Sequence, residues 1–178
     1  MPACVRVGEH ACAFCPHVLP IQSLRTVYRH TNLVARDWRR LSAFYEQVFG
    51  CTPVPPPRRH SGDWLARGTA VESAAMEGQH LRLPGHGDGG PTLEIYTYAT
   101  MLDAPPPAAN RCGYGHLAFE VDDVPATLAA VVSAGGAPHG GVVVHDVTGV
   151  GRLTFVYARD PEGNLLELQR WEVAGDRA

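Results

Sequence analysis

No apolar run in the 178-residue sequence approaches the length needed to span a bilayer. The opening stretch, MPACVRVGEHACAFCPH, has no long apolar run of the secretory kind, so a cytoplasmic protein is expected. Charged residues make up 19% and the formal net charge is −3, so nothing draws the chain towards nucleic acid or an anionic membrane. The five cysteines are odd in number and scattered without a disulfide framework, which fits a reducing compartment. What is present in quantity is apolar: hydrophobic residues are 45%, an ordinary share for a globular domain of this length.

The sequence contains itself twice. Tyr28-Arg29-His30 returns as Tyr114-Gly115-His116, an offset of 114 − 28 = 86. Asp37 and Asp123 open two helical patterns at the same offset, and Gly50 and Gly136 close them. Each helix follows a strand and precedes further strand patterns, which predicts strand, helix, then about three strands in each copy. Asp160-Pro161-Glu162-Gly163 reads as a hairpin turn before the last strand. Glu94 and Glu167 match at an offset of 167 − 94 = 73, so the first copy carries 86 − 73 = 13 extra residues, placed between Pro53 and Gly90. The organisation read from this is an N-terminal extension (1–24), a first module (25–103), a linker (104–111), a second module (112–173) and a tail (174–178).

Glu167 poses a chemical question. It lies between Leu166 and Leu168 in GNLLELQRW, and desolvating a lone carboxylate is costly. Strand side chains alternate, so Leu166 and Leu168 face a helix and Glu167 faces the other way. The same alternation exposes Glu94 opposite Leu93 and Ile95, and His116 opposite Leu117 and Phe119, with His30 at the equivalent place in the first copy. One face is then expected to present His30, Glu94, His116 and Glu167. Two imidazoles and two carboxylates suit a divalent metal, Zn, Ni, Co, Mn or Fe, which would neutralise both carboxylates.

These residues resemble a known group, the vicinal oxygen chelate superfamily of glyoxalase I, methylmalonyl-CoA epimerase, extradiol dioxygenases and bleomycin-type resistance proteins. YRHTNLVARDWRRLSAFYEQVFG, PTLEIY, YGHLAFEVDDV and ARDPEGNLLELQ carry the resemblance, over roughly residues 26–172. It implies an α+β fold of two tandem βαβββ modules forming a cupped, eight-stranded mixed sheet around a metal. In glyoxalase-like members the ligands are His, Glu, His and Glu, matching His30, Glu94, His116 and Glu167. Extradiol members use two His and one Glu, which would leave Glu94 surplus, so the glyoxalase type is the nearer likeness. It further implies a lyase or isomerase acting on a small 2-oxo or thioester compound through a metal-stabilised enediolate, with Glu167 or Glu94 as the base. Modules of the family often pair across a dimer interface, so a homodimer is expected. The alternatives are a non-haem Fe(II) extradiol-type dioxygenase and a metal-free drug-binding resistance protein.

Other features are read more plainly. His10, Cys12, Cys15 and His17 form HxCxxCxH, too tightly packed and lacking a second ligand pair for a zinc motif, and are taken as a flexible extension. His60 and Trp64 are assigned to an exposed loop, with a lid over the site as the alternative. His80 and His145 are read as solvated, Tyr96, Tyr98, Phe155 and Tyr157 as core rather than pocket lining. Cys51 and Cys112 have no neighbouring base and are given no nucleophilic role.

Overall fold

The computed structural model describes residues 25–103 and 105–173. The first module runs β1 (His30–Val34), α1 (Trp38–Phe49), β2 (Thr52–Ser61), α2 (Asp63–Thr69), β3 (Ala75–Arg82) and β4 (Thr92–Tyr98). The second runs β5 (Leu117–Glu120), α3 (Val124–Ser133), β6 (Ala137–Pro138), β7 (Val143–Val147), β8 (Gly151–Arg159) and β9 (Leu165–Val173). The α+β class and the tandem βαβββ modules are present. The described strands form two sheets, of four and five strands, ordered β1-β4-β3-β2 and β5-β9-β8-β6 with β7 also on β8. The ninth strand arises because the counterpart of β2 is broken into β6 and β7, both paired with β8.

Side-chain caps start both helices. Asp37 accepts from the amides of Arg39 and Arg40, and Asp123 from that of Ala126. Gly50 ends α1 in the left-handed conformation at φ 67°. In the second module Gly135 takes that conformation, at φ 93°, not the expected Gly136. The true offset there is 135 − 50 = 85, because α3 ends earlier than α1 by register. Gly136 serves a different purpose: a Cβ there would lie 2.4 Å from the Arg159 carbonyl oxygen, so only glycine lets the chain pass β8.

The registers locate the thirteen extra residues. Arg58 faces Gly78 where Val143 faces Phe155, offsets of 143 − 58 = 85 and 155 − 78 = 77. Eight residues (85 − 77) therefore lie in the β2–β3 connection, which α2 occupies, and four (77 − 73) between β3 and β4. The thirteenth is in the end of α1, outside the expected Pro53–Gly90 span.

The modules share one core. Leu93 and Ile95 of β4, Leu166 and Leu168 of β9, Leu41 and Tyr45 of α1, and Val124 and Val131 of α3 belong to the same buried cluster. α1 packs on β3 and β4, α3 packs on β8 and β9, and the two helices touch. Phe49 stacks on Phe119 at 4.0 Å between ring centroids, across the modules. A polar joint reinforces this contact. Tyr45 Oη donates to Asp160 Oδ2 at 3.0 Å, and the Asp37 amide donates to Glu162 Oε1 at 3.2 Å. The Asp160 turn of the second module thus grips the start and middle of the first module's helix.

Candidate functional site

The aliphatic face of each sheet is used by the shared core, so its polar face looks the other way. β1 and β4 run parallel with Asn32 beside Glu94, and β5 and β9 run parallel with Ala118 beside Glu167. These two registers are the same pairing under the offsets 118 − 32 = 86 and 167 − 94 = 73. His30 and His116 each lie two residues before the paired position, on the same face as the glutamate.

The side chains meet accordingly. His30 Nδ1 is 3.2 Å from Glu94 Oε1, and His116 Nε2 is 2.8 Å from Glu167 Oε2. Both carboxylates are sunk, at 17% and 15% side-chain exposure, while their histidines are more open. The four residues lie as two His–Glu pairs, one on each sheet. Among the described residues, no three His, Cys, Asp or Glu side chains are placed to hold a metal ion.

The first half-site holds a residue that sequence reading set aside. His80 of β3 lies beside Glu94 in the register, and its Nε2 is 3.1 Å from Glu94 Oε1 and 3.0 Å from Tyr96 Oη. Burial holds His80 below its ordinary pKa, against the opposing pull of Glu94; Arg58, His30 and His60 lower it further. Burial likewise raises the Tyr96 phenol, with Glu94 acting in the same sense and Arg58 against it. The signal for His80 was available in AMEGQHLRLP, but only the β3–β4 register shows that His80 and Glu94 are neighbours. His145 is exposed, as read.

The aromatic residues also sit differently from the core reading. Tyr96, Tyr98, Phe155 and Tyr157 share the polar faces with the His–Glu pairs, by their registers with Gly78, Met76, Gln169 and Glu167. The Tyr157 ring lies 5.0 Å from that of His116. Tyr96 is buried but on this outer side, its ring close over Gly78, where a Cβ would meet Tyr96 Cδ1 at 2.7 Å. His60 is in β2 and Trp64 in α2, so neither belongs to a loop. Their rings meet edge-on at 5.5 Å, and His60 is also 6.1 Å from the Tyr96 ring. A groove of about 390 Å³, lined by His60, Met76 and Tyr98 among others, opens at this end of the first sheet. His10, Cys12, Cys15 and His17 lie outside the described residues.

Residues 28–168 match the family model described as the Glyoxalase/Bleomycin resistance protein/Dioxygenase superfamily. The chain belongs to this superfamily. Among solved structures, it is similar to a glyoxalase family protein from Bacillus cereus, at 21% identity and TM-score 0.70, covering 85% of this chain and 99% of that one. It is also similar to the glyoxalase family protein from Enterococcus faecalis, at 23% identity and TM-score 0.50, covering 80% and 96%. At these identities the likeness speaks for the fold alone. No curated relative matches the sequence. The superfamily includes enzymes, and its members bind small molecules and often use divalent metals. No helix of the described residues is long and apolar enough to cross a membrane.

Proposed function

We propose that this superfamily member is a divalent-metal-dependent lyase or isomerase of the glyoxalase I type, acting on a small 2-oxo or thioester compound. The observation that carries the reading is the repeated His–Glu pair: His30 with Glu94 and His116 with Glu167, at matching registers in both modules. The donor set fits Zn, Ni, Co, Mn or Fe. Imidazole and carboxylate donors already 2.8–3.2 Å apart are spaced like neighbours around one ion, whose bonds are about 2.1 Å. Since one chain offers the pairs separately, a homodimer supplies the full set, the first module of one chain facing the second module of its partner.

A divalent metal there would supply Lewis-acid stabilisation of charge developing on two neighbouring substrate oxygens. The chain's own residues do the proton work. Glu94 is held by two imidazoles, His30 and His80, and remains a ligand. Glu167 is held by His116 alone and is the better candidate for the base that removes and returns a proton on carbon. Tyr157, paired with Glu167 across β8 and β9, and Phe155 next to it would supply the apolar side of this half-site.

Metal analysis by mass spectrometry, on protein purified without chelator, tests this. About one Zn, Ni, Co or Mn per chain, lost in Glu167→Ala, is the expected result. Iron, retained in Glu94→Gln, would move the assignment to the extradiol-type dioxygenase. A metal-free binding protein is the second reading, favoured by the way each Glu is already satisfied by a His within one chain. Absence of metal even after add-back would select it.

A further inference from the structure

The two half-sites are alike at the His–Glu pair and at His60 and His145, and unlike at the positions between. Arg58, His60 and His80 share the outer face of the first sheet, Arg58 beside Gly78 and His60 beside Met76. Under the offsets above, the second module carries Val143 in place of Arg58, Phe155 in place of Gly78 and Tyr157 in place of His80. His60 keeps a histidine counterpart, His145 beside Leu153, so the contrast rests on Arg58 and His80: a guanidinium and an imidazole on one face, Val143 and Tyr157 on the other.

Arg58 is unusual on this face. It is half-buried, and its Nη1 donates to the carbonyls of Val54 at 3.1 Å and Pro56 at 2.8 Å. These bonds fix the guanidinium against its own strand. No carboxylate among the described residues pairs with it, and its Nε and Nη2 find no acceptor there. A guanidinium already immobilised loses little further entropy on binding, and its fork matches a carboxylate or phosphate. Gly78 keeps the floor between Arg58 and the Tyr96 ring low. His80 is turned to Glu94 and Tyr96 through Nε2 and stands beside Arg58 as a neighbour, not as a further donor.

We propose that Arg58, with His60 beside it, forms a subsite for an anionic oxygen group, a carboxylate or phosphate, on the substrate. The assignment of a substrate rests on the enzymatic reading above; the anion subsite itself does not. With Val143, Phe155 and Tyr157 on the other half, the substrate class is an amphipathic anion, charged at one end and apolar at the other.

The test uses the full chain stripped of metal, so that no probe binds through an ion. 3-Phenylpropionate, its neutral analogue 3-phenylpropan-1-ol and inorganic phosphate are titrated by calorimetry or chemical-shift change. An Arg58 subsite predicts that the acid binds about tenfold or more tightly than the alcohol. Arg58→Met abolishes that preference, while Arg58→Lys keeps part of it. His60→Leu, which leaves the Arg58–carbonyl bonds in place, weakens the preference and guards against a folding defect in Arg58→Met. Phosphate bound without the acid points to a phosphate ester, the acid without phosphate to a carboxylate; either upholds the subsite. Equal binding of acid and alcohol without phosphate binding, binding of neither anion, or a preference unchanged in Arg58→Met overturns it. Metal content is measured alongside: loss of the metal reading with the preference intact would leave this subsite standing.

Discussion

Cys51 and Cys112 show how burial separates two chemically identical side chains. Cys51 is buried at 3% exposure, and burial, aided by the charge of Glu46, raises its thiol to about 11. At pH 8 its thiolate is then roughly a thousandth of the total. Cys112 is exposed. Iodoacetamide at pH 8 should label Cys112 and spare Cys51 in the folded chain, with both labelled in denaturant; peptide mass mapping reads this directly. Tyr45 gives the corresponding pH prediction. Burial, then the charge of Asp160, pushes its phenol well above 10.0. Its stabilising contribution is complete below that ordinary value and fades as pH rises through the folded one, because the unfolded chain ionises first. Alkaline unfolding above pH 10 should therefore be steeper for wild type than for Tyr45→Phe, measured by denaturant midpoints from pH 9 to 11. At this scale His30, Glu94, His116 and Glu167 were legible because alternation in a strand is a property of the sequence itself. His80 was not, since its importance comes from a neighbour on another strand.

Among the elements, the Asp160 turn does the most per residue. Asp160 is 3% exposed and accepts from the amides of Glu162 and Asn164, from Asn164 Nδ2 and from Tyr45 Oη. Asp160→Ala would leave several of these donors unsatisfied and should cost about 3 kcal/mol, seen as a lower denaturant midpoint at unchanged m-value. Gly78→Ala should also destabilise, because the added Cβ would lie 1.9 Å from the Ile95 carbonyl oxygen in the middle of the sheet. The helix starts and the Asp160 hairpin were readable from caps and turn chemistry, which act within a few residues. Strand β2 was not. Its Pro-rich composition suggested a loop, yet pairing with β3 holds Thr52–Ser61 extended as a strand. The broken counterpart of β2 escaped notice for the same reason, since the long strand β8 sets where β6 and β7 begin and end.

For the whole molecule, the internal duplication was legible and the meeting of its halves was not. Offsets in a sequence establish that two units are alike, but the packing of α1 on α3 depends on surfaces from distant segments. That packing turns the His–Glu faces outward on separate sheets, and the proposed shared site makes a mixing prediction. His30→Ala and His116→Ala homodimers should each bind no metal at the site. Refolded together, half the dimers are mixed, and each mixed dimer has one intact site of two. Metal content should then recover to about a quarter of wild type; no recovery would confine the site to a single chain.

The joint between Asp160, Glu162 and α1 has a wider consequence. The stretch by which the chain is most easily recognised holds its two halves together, while the His–Glu pairs and the groove beside His60 lie on faces pointing elsewhere. Substitutions on those faces can change what is bound with little effect on how the halves are held. A scaffold divided in this way can be redirected to new chemistry one face at a time.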